Sequence, residues 1–504
     1  MAPLARRTRW AVAAMLAAGL ALHLAGALGR SLNTDEVYYP LAAREGRLWD
    51  AVRADVHPLL EPLLVGAMVR AGLPENAWRV VSILAWLGVA LLAFRLGRRA
   101  GGDAMGLAAM ALILTSPQGA LLSRLVRSYA LAAFFGAWSI ERFLALIEQP
   151  NRRRAALLVI AAALGCYTFY YNLFLLVAFT LAALAWLRRD RIAGRAALIS
   201  TFVATALFAP WLLMLAGQIA ASLGGGWITW DFSLPQIVRR FTQTLFFAGG
   251  LDGIERSIAS HVPSLTGEFT TLIALPLLVW GAWYLVREDE RDRGARRLLA
   301  FIPVTFTLLA LGAHYLFGEF IAVHYFVVVA AAAAPLLAAP FAFSRRRFVA
   351  GLAFGAVMAA NLAFFPAATR EGNEPLREAA HWIDARLTDR DLVLGVAWFA
   401  VDGYRWYGAG RRAIGVPLDL RASASKQRVQ LGVMEAADLL ALHRALSSPR
   451  QVALLLSHAK WRDADRGVAL TTQTLRELGF VLVGEERWPF GVDNPSVRAQ
   501  IWRR

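Results

Sequence analysis

Two short motifs carry side chains that could catalyse a reaction on an anionic substrate. The motif N-T-D-E-V-Y-Y-P contains the adjacent acids Asp35 and Glu36, and a positioned carboxylate can act as a general base or a metal ligand. The motif S-R-L-V-R-S-Y-A-L contains Arg124 and Arg127, whose spacing puts both on one face of a helix. Because guanidinium groups bind phosphate bidentately, the second motif predicts a phosphate site beside a base.

Each motif also has a plainer interpretation. Two adjacent acids are common in solvated loops, and arginines near a membrane surface can extend towards lipid headgroups. His57, in D-V-H-P-L-L-E-P-L-L, could donate to a phosphate, bind a metal or lie at the headgroup level. His324, in G-E-F-I-A-V-H-Y-F, could also help to hold a phosphate. Histidine carries a full positive charge only when protonated.

Aromatic and amide side chains near these motifs could line a substrate site. An interfacial belt of aromatic residues at a membrane surface explains the same enrichment. The predicted substrate-lining residues are Tyr38, Tyr129, Tyr170, Tyr171, Asn172 and Tyr325.

The elements that must position these side chains are membrane-spanning helices. Of the 504 residues, 58% are hydrophobic and 18% are charged, whereas soluble domains average about 45–50% apolar residues. A spanning helix needs roughly 20 predominantly apolar residues, and the sequence contains about eleven such runs. They lie near 10–29, 77–97, 104–122, 129–147, 155–170, 172–187, 196–216, 269–286, 298–316, 323–343 and 348–366.

The distribution of arginine predicts the orientation of these spans. The N-terminus and every second loop are rich in arginine, which is typical of cytoplasmic segments. We therefore expect a cytoplasmic N-terminus, an extracytoplasmic C-terminus and all candidate motifs on the outer side. The first apolar run is longer than the usual core of a signal peptide, which favours a retained anchor.

The chain divides into two predicted domains. Residues 1–366 form a polytopic α-helical membrane domain with large outer loops at 30–76 and 217–268, and the apolar stretch 59–73 is too short to span. From 367 to 504 charge density rises, and short β-like runs at 392–397, 452–457 and 480–485 alternate with helical patterns. This alternation predicts a small extracytoplasmic α/β domain.

Composition also argues against two function classes. The net charge of +17 could indicate nucleic-acid binding, but the arginines form no single stripe or tail. No G-x-x-x-x-G-K-[ST] loop is present, which argues against an ATP-driven transporter. A lipid or lipid-linked sugar flippase and a non-catalytic scaffold remain alternatives to an enzyme.

As an ordered set, these motifs resemble those of GT-C glycosyltransferases. The most similar group is the bacterial branch of the dolichyl-phosphate-mannose protein mannosyltransferases, with the aminoarabinose transferases of lipid A as relatives. The resemblance covers roughly residues 10–390. It implies a GT-C-like fold and an inverting transfer of sugar from a polyprenyl-phosphate donor, in the cell inner membrane, to a glycan, lipid or protein acceptor. Membrane lipids are further partners.

The resemblance also suggests roles for individual residues. Asp35 matches the family's catalytic acid position, with Glu36 as its partner, and Arg124, Arg127, His57 and His324 would hold the donor phosphate. The chain departs from the family pattern at Leu59, Phe169 and His324, where the family often has Pro, His and Arg. No cofactor is required by the sequence; if a divalent metal binds, Asp35, Glu36 and His57 are its candidate ligands.

Overall fold

The computed structural model describes most of the chain. The described residues are 4–55, 57–222, 276–283, 286, 293–317, 323–370, 374–396, 398–416, 434, 436–457, 462–489 and 496–504. The predicted outer loop 217–268 and the predicted span 269–286 lie largely outside these residues.

Helices dominate the first 370 residues. In the described part, five helices are long and apolar enough to cross a membrane, by length and composition. This finding supports a polytopic membrane protein, and the exact number of eleven spans stays a prediction. The helices are Arg6–Ala25, Thr34–Arg44, Leu48–Ala54, Leu60–Arg70, Glu75–Thr115, Pro117–Leu122, Tyr129–Glu148, Arg152–Thr168, Asn172–Trp186, Arg191–Phe208, Leu212–Ser222, Arg293–Phe317, Ala330–Ala342 and Arg347–Arg370.

The helical run Glu75–Thr115 reverses direction at its centre. Gly102 has a φ of 83°, a conformation that glycine adopts without steric cost. The indole nitrogen of Trp86 donates to the carbonyl of Ile113 at 3.1 Å, which a straight helix could not allow. A Cβ atom on Gly97 would lie 2.8 Å from a backbone oxygen of the second half. The run is therefore two closely packed antiparallel helices, as the predicted spans 77–97 and 104–122 require.

A buried acid in the helix Tyr129–Glu148 is neutralised by arginines. Glu141 has no solvent exposure, and it forms ion pairs with Arg95 at 2.8 Å, with Arg99 at 3.0 Å and with its neighbour Arg142. A charge at this depth is costly without such partners. Arg95 and Arg99 come from a basic loop predicted to be cytoplasmic, so the cluster lies at the end of the helix remote from the candidate motifs.

The C-terminal part contains a five-stranded sheet. Its strands are β1 (Leu392–Val396), β2 (Ala413–Val416), β3 (Gln451–Leu456), β4 (Val481–Pro489) and β5 (Ser496–Arg503), in the order β2-β1-β3-β5-β4. The pairs β1–β2 and β1–β3 are parallel, and β5 pairs antiparallel with β3 and β4. The helices Leu376–Asp384, Trp398–Tyr407, Ala436–Ala445 and Arg462–Glu477 alternate with the strands. The predicted alternation of strands and helices is therefore observed.

The C-terminal part packs on the helices Thr34–Arg44 and Glu75–Thr115 of the helical part. Glu75 accepts hydrogen bonds from Trp406 at 2.8 Å and from Tyr407 at 2.9 Å, and it pairs with Arg377 at 2.7 Å. The guanidinium of Arg44 lies 4.4 Å from the centre of the Trp406 ring. These contacts fix the C-terminal part beside the helix Thr34–Arg44, which carries the first candidate motif.

Candidate active site

A capping box starts the helix that carries the two acids. The side chain of Asn33 accepts a hydrogen bond from the backbone N–H of Glu36 at 2.8 Å, and the Glu36 carboxylate accepts one from the backbone N–H of Asn33 at 2.8 Å. Asp35 lies in the first helical turn, and its exposed carboxylate makes no hydrogen bond or ion pair with the described residues.

Glu36 has a different environment from Asp35. It is buried, and its second oxygen accepts a hydrogen bond from the backbone N–H of Val126 at 2.6 Å. Arg79 lies 3.9 Å away, but burial outweighs it and raises the pKa of Glu36. Because its oxygens bind backbone N–H groups on two segments, the contacts favour a positioning role for Glu36 as the partner of Asp35.

Arg127 contacts both the segment of Asp35 and the segment of His57. Its guanidinium donates to the backbone carbonyl of Asp35 at 3.1 Å and contacts Nε2 of His57 at 3.3 Å. A further hydrogen bond joins it to Tyr129. Only 9% of Arg127 is exposed, and its Nε atom is buried without a partner. The structure thus brings Asp35, His57, Arg127 and Tyr129 together from distant points in the sequence.

The proton positions on His57 follow from its neighbours. A guanidinium can only donate, so Nε2 of His57 must accept from Arg127. Nδ1 therefore carries the proton and donates to Asp55 at 3.1 Å. Since Nε2 already accepts a hydrogen bond from Arg127, the geometry indicates that His57 orients the Arg127 guanidinium. Direct contact of His57 with a phosphate would require this hydrogen bond to break.

Asp55 anchors the chain of hydrogen bonds that ends at Arg127. Tyr39 donates to it at 2.5 Å. Burial opposes ionisation of Asp55, but the neighbouring His57 and Arg127 and the hydrogen bonds from His57 and Tyr39 outweigh burial and hold the pKa of this carboxyl below its usual range. Sequence reasoning missed Asp55 and Tyr39, although the D-x-H spacing of Asp55 and His57 was a usable signal.

Arg124 does not face the same space as Arg127. It is 4% exposed, and its guanidinium donates to backbone carbonyls of Ala120, Ala368 and Thr369, with a longer hydrogen bond of 3.4 Å to Gly26. These carbonyls lie at or near helix ends, where carbonyl groups lack partners within the helix. The contacts favour a structural role, and they give no support to the predicted contact of Arg124 with a phosphate.

We expect Arg124→Ala to destabilise the protein without weakening donor binding specifically. The substitution leaves several buried carbonyls without a donor, at a cost of about 1–3 kcal/mol for each unsatisfied group. The thermal melting temperature of the purified protein measures this effect. A variant with unchanged melting temperature but impaired donor binding would restore the sequence-based assignment.

The predicted aromatic and amide residues fall into two groups. Tyr170 connects to the His57 segment through Gln218, which its hydroxyl contacts. The amide of Gln218 donates to the carbonyls of Val52 at 2.8 Å and of His57 at 3.5 Å. Tyr38 directs its hydroxyl to the carbonyl of Ala51 at 3.4 Å.

Tyr171 and Asn172 serve mainly in packing. Tyr171 is buried and stacks on Phe169 with ring centres 5.4 Å apart. Asn172 is buried against Gly165 and donates to the carbonyl of Phe169 at 3.3 Å. Phe169, one of the departures from the family pattern, also contacts Tyr129 edge-on, with ring centres 5.9 Å apart. It therefore packs against the tyrosine that is hydrogen-bonded to Arg127.

The remaining two predictions fall on side chains outside the description. The backbone of His324 and Tyr325 lies in the 3-10 helix Val323–Val329, but their side chains are outside the described residues.

Within the described ranges, no three His, Cys, Asp or Glu side chains come together as metal ligands. Of the three candidate ligands, Glu36 and His57 are engaged by protein groups.

Comparison with solved structures identifies the fold. The chain is similar to ArnT from Cupriavidus metallidurans in the apo state, with a TM-score of 0.59 and 14% identity, and each chain is covered to 98%. ArnT bound to undecaprenyl phosphate gives a TM-score of 0.58 at the same identity and coverage. The archaeal oligosaccharyltransferase AglB from Archaeoglobus fulgidus, in complex with an inhibitory peptide and a dolichol-phosphate, gives 0.52 at 14% identity, with 95% of this chain and 73% of AglB covered.

This likeness shows that the chain shares the fold of ArnT and AglB, and nothing narrower. No protein-family profile and no curated protein sequence matches it. The mannosyltransferase-like family predicted from the motifs therefore stays a prediction.

Proposed function

We propose that the protein is an inverting glycosyltransferase that uses a polyprenyl-phosphate-linked sugar on the outer side of the cytoplasmic membrane. The observation that carries the proposal is the pairing of an exposed, unengaged carboxylate at Asp35 with the buried cation Arg127, whose guanidinium contacts the backbone of Asp35 itself. Both lie outside the candidate spans. That ArnT of the same fold is seen with undecaprenyl phosphate supports a lipid-linked donor.

The two side chains divide the reaction between them. The carboxylate of Asp35 removes the proton from an acceptor hydroxyl while the hydroxyl oxygen attacks the anomeric carbon of the sugar. The bond from this carbon to the phosphate oxygen breaks, and the electron pair leaves with the polyprenyl phosphate. Arg127 stabilises the charge that develops on the leaving phosphate. Attack opposite the leaving group inverts the configuration.

The other residues of the site hold these two in place. Tyr39, Asp55 and His57 form the hydrogen-bonded chain that orients Arg127. Glu36 ties the helix of Asp35 to the segment that precedes Arg127. In this proposal the membrane domain, residues 1–366, supplies the catalytic groups, and residues 367–504 pack against the outer side.

We expect Asp55→Asn to weaken donor binding by about tenfold, the equivalent of 1.4 kcal/mol. The introduced amide can donate to Nδ1 of His57, which would shift the ring proton to Nε2. A protonated Nε2 cannot accept a hydrogen bond from the guanidinium of Arg127, so the contact between the two side chains would be lost. Binding of polyprenyl phosphate to the purified variant measures the loss. Asp50→Asn, at an exposed position in the same outer segment, is the matched control. Equal affinities for the two variants would contradict the orienting role.

The proposed function is tested by an acceptor-dependent release assay. The purified protein is incubated with a polyprenyl-phosphate sugar and envelope glycans or lipids, and free polyprenyl phosphate is measured by mass spectrometry. We expect release that depends on the acceptor and a glycosylated product of inverted configuration. Movement of the intact donor across vesicle membranes without release would instead indicate a flippase.

A further inference from the structure

Glu61 is a buried acid whose carboxylate lacks a partner. It lies in the first turn of the helix Leu60–Arg70 and is 2% exposed. Neither of its carboxylate oxygens has a hydrogen-bond partner among the described residues. Among other buried acids of the described region, Glu36 binds backbone N–H groups and Glu141 binds arginines. Glu61 therefore differs from acids whose burial is explained by the fold.

The surroundings of Glu61 place it in the candidate active site. The ionisable groups that act on it are Arg127, His57, Asp55 and Glu36, which also define that site. Burial raises the pKa of Glu61 to about 7, although Arg127 and His57 oppose this shift. An unpaired buried acid is destabilising. The Nε atom of Arg127 also lacks a hydrogen-bond partner within the described part of the chain. Buried polar groups without protein partners in a candidate site indicate a ligand-binding role.

The charge and burial of Glu61 indicate which chemical group it could bind. A carboxylate repels a phosphate and attracts a hydrogen-bond donor. An acceptor that enters from outside would first meet the exposed Asp35. Glu61, in contrast, is buried and interacts electrostatically with Arg127, the group assigned to the phosphate. The part of the donor that follows its phosphate is the sugar, whose polar groups are hydrogen-bond donors.

We propose that Glu61 binds the sugar of the lipid-linked donor by accepting a hydrogen bond from one of its polar groups. This inference rests on the proposed function. It separates two tasks within the site, because Arg127 then binds the phosphate that all such donors share, and Glu61 distinguishes a sugar-bearing donor from the bare lipid phosphate.

The test compares two ligands on the full-length protein. Binding of polyprenyl phosphate and of a polyprenyl-phosphate sugar is measured for the wild type, for Glu61→Gln and for the control Glu45→Gln at an exposed position. Hydrogen bonds to a charged group are strong, so we expect Glu61→Gln to weaken binding of the sugar-bearing donor by about 10- to 100-fold. Binding of bare polyprenyl phosphate should not weaken, because the substitution removes a negative charge near Arg127. The control should match the wild type.

Three outcomes overturn the inference. An unchanged affinity for the sugar-bearing donor shows that Glu61 does not bind sugar, and an equal loss for both ligands shows that it acts on the phosphate site. A wild-type protein that binds neither ligand removes the proposed function and, with it, this inference.

A second variant covers the case in which Glu61→Gln fails to fold. Glu61→Leu replaces the unpaired acid by an apolar side chain, so we expect a higher thermal melting temperature than in the wild type. This variant should bind bare polyprenyl phosphate at least as tightly as the wild type and lose its preference for the sugar-bearing donor. Retained preference for the sugar-bearing donor in a stable Glu61→Leu protein would contradict the proposal.

Discussion

Replacing Asp35 by Asn is expected to abolish sugar transfer while the donor still binds. The amide has nearly the same shape as the carboxylate but cannot accept the proton of the acceptor hydroxyl. Since Asp35 makes no side-chain hydrogen bond or ion pair with the described residues, the substitution should leave the fold intact. Loss of a general base typically costs about 10²–10⁴-fold in rate.

The Asp35→Asn experiment requires separate measurements of turnover and binding. Release of polyprenyl phosphate from a polyprenyl-phosphate sugar gives the rate, and the thermal melting temperature confirms that the variant is folded. Asp50→Asn serves as a control with the same chemical change at an exposed position outside the site. Near-normal turnover in folded Asp35→Asn protein would rule out the assignment of Asp35 as base.

Replacing Arg127 by Ala is expected to cause a large loss of donor affinity. Arg127 is 9% exposed, and truncation of one partner of a buried, hydrogen-bonded charge pair costs about 2–5 kcal/mol of binding free energy. The donor phosphate would lose its bidentate partner, and His57 would lose the group that it orients. Binding of polyprenyl phosphate, measured with and without the sugar, should weaken for both ligands.

Two further variants make the Arg127 experiment specific. Arg127→Lys keeps the charge but loses the planar guanidinium, so we expect an affinity between those of the wild type and Arg127→Ala. Arg53→Ala, which removes an arginine from the outer helix Leu48–Ala54, controls for a general change of surface charge. If Arg127→Ala binds both ligands as tightly as the wild type, the phosphate lies elsewhere.

Several features of the fold could be predicted because they depend on local sequence. Apolar length and the positions of arginine indicate spanning helices, and the alternation of short apolar runs with helical patterns indicates the C-terminal sheet. The reversal inside Glu75–Thr115 could also be predicted, because a basic pair followed by Gly101-Gly102 separates two apolar runs.

The different roles of the two acids in one motif, and of the two arginines in the other, could not be predicted from sequence. Asp35 and Glu36 are adjacent, yet the capping box with Asn33 buries one carboxylate and leaves the other exposed. Arg124 and Arg127 share a motif, yet the segment between two helices turns them towards different neighbours. Side-chain direction in such segments depends on tertiary contacts, which spacing alone does not contain.

Mass spectrometry of the lipids that copurify with the protein tests the central claim most directly. We predict that wild-type protein extracted from its own membrane carries polyprenyl phosphate or a polyprenyl-phosphate sugar, and that Arg127→Ala protein prepared in parallel carries much less. Recovery of bulk phospholipids alone from both proteins, with no polyprenyl phosphate above the level of an unrelated membrane protein, would contradict a lipid-linked donor site at Asp35 and Arg127.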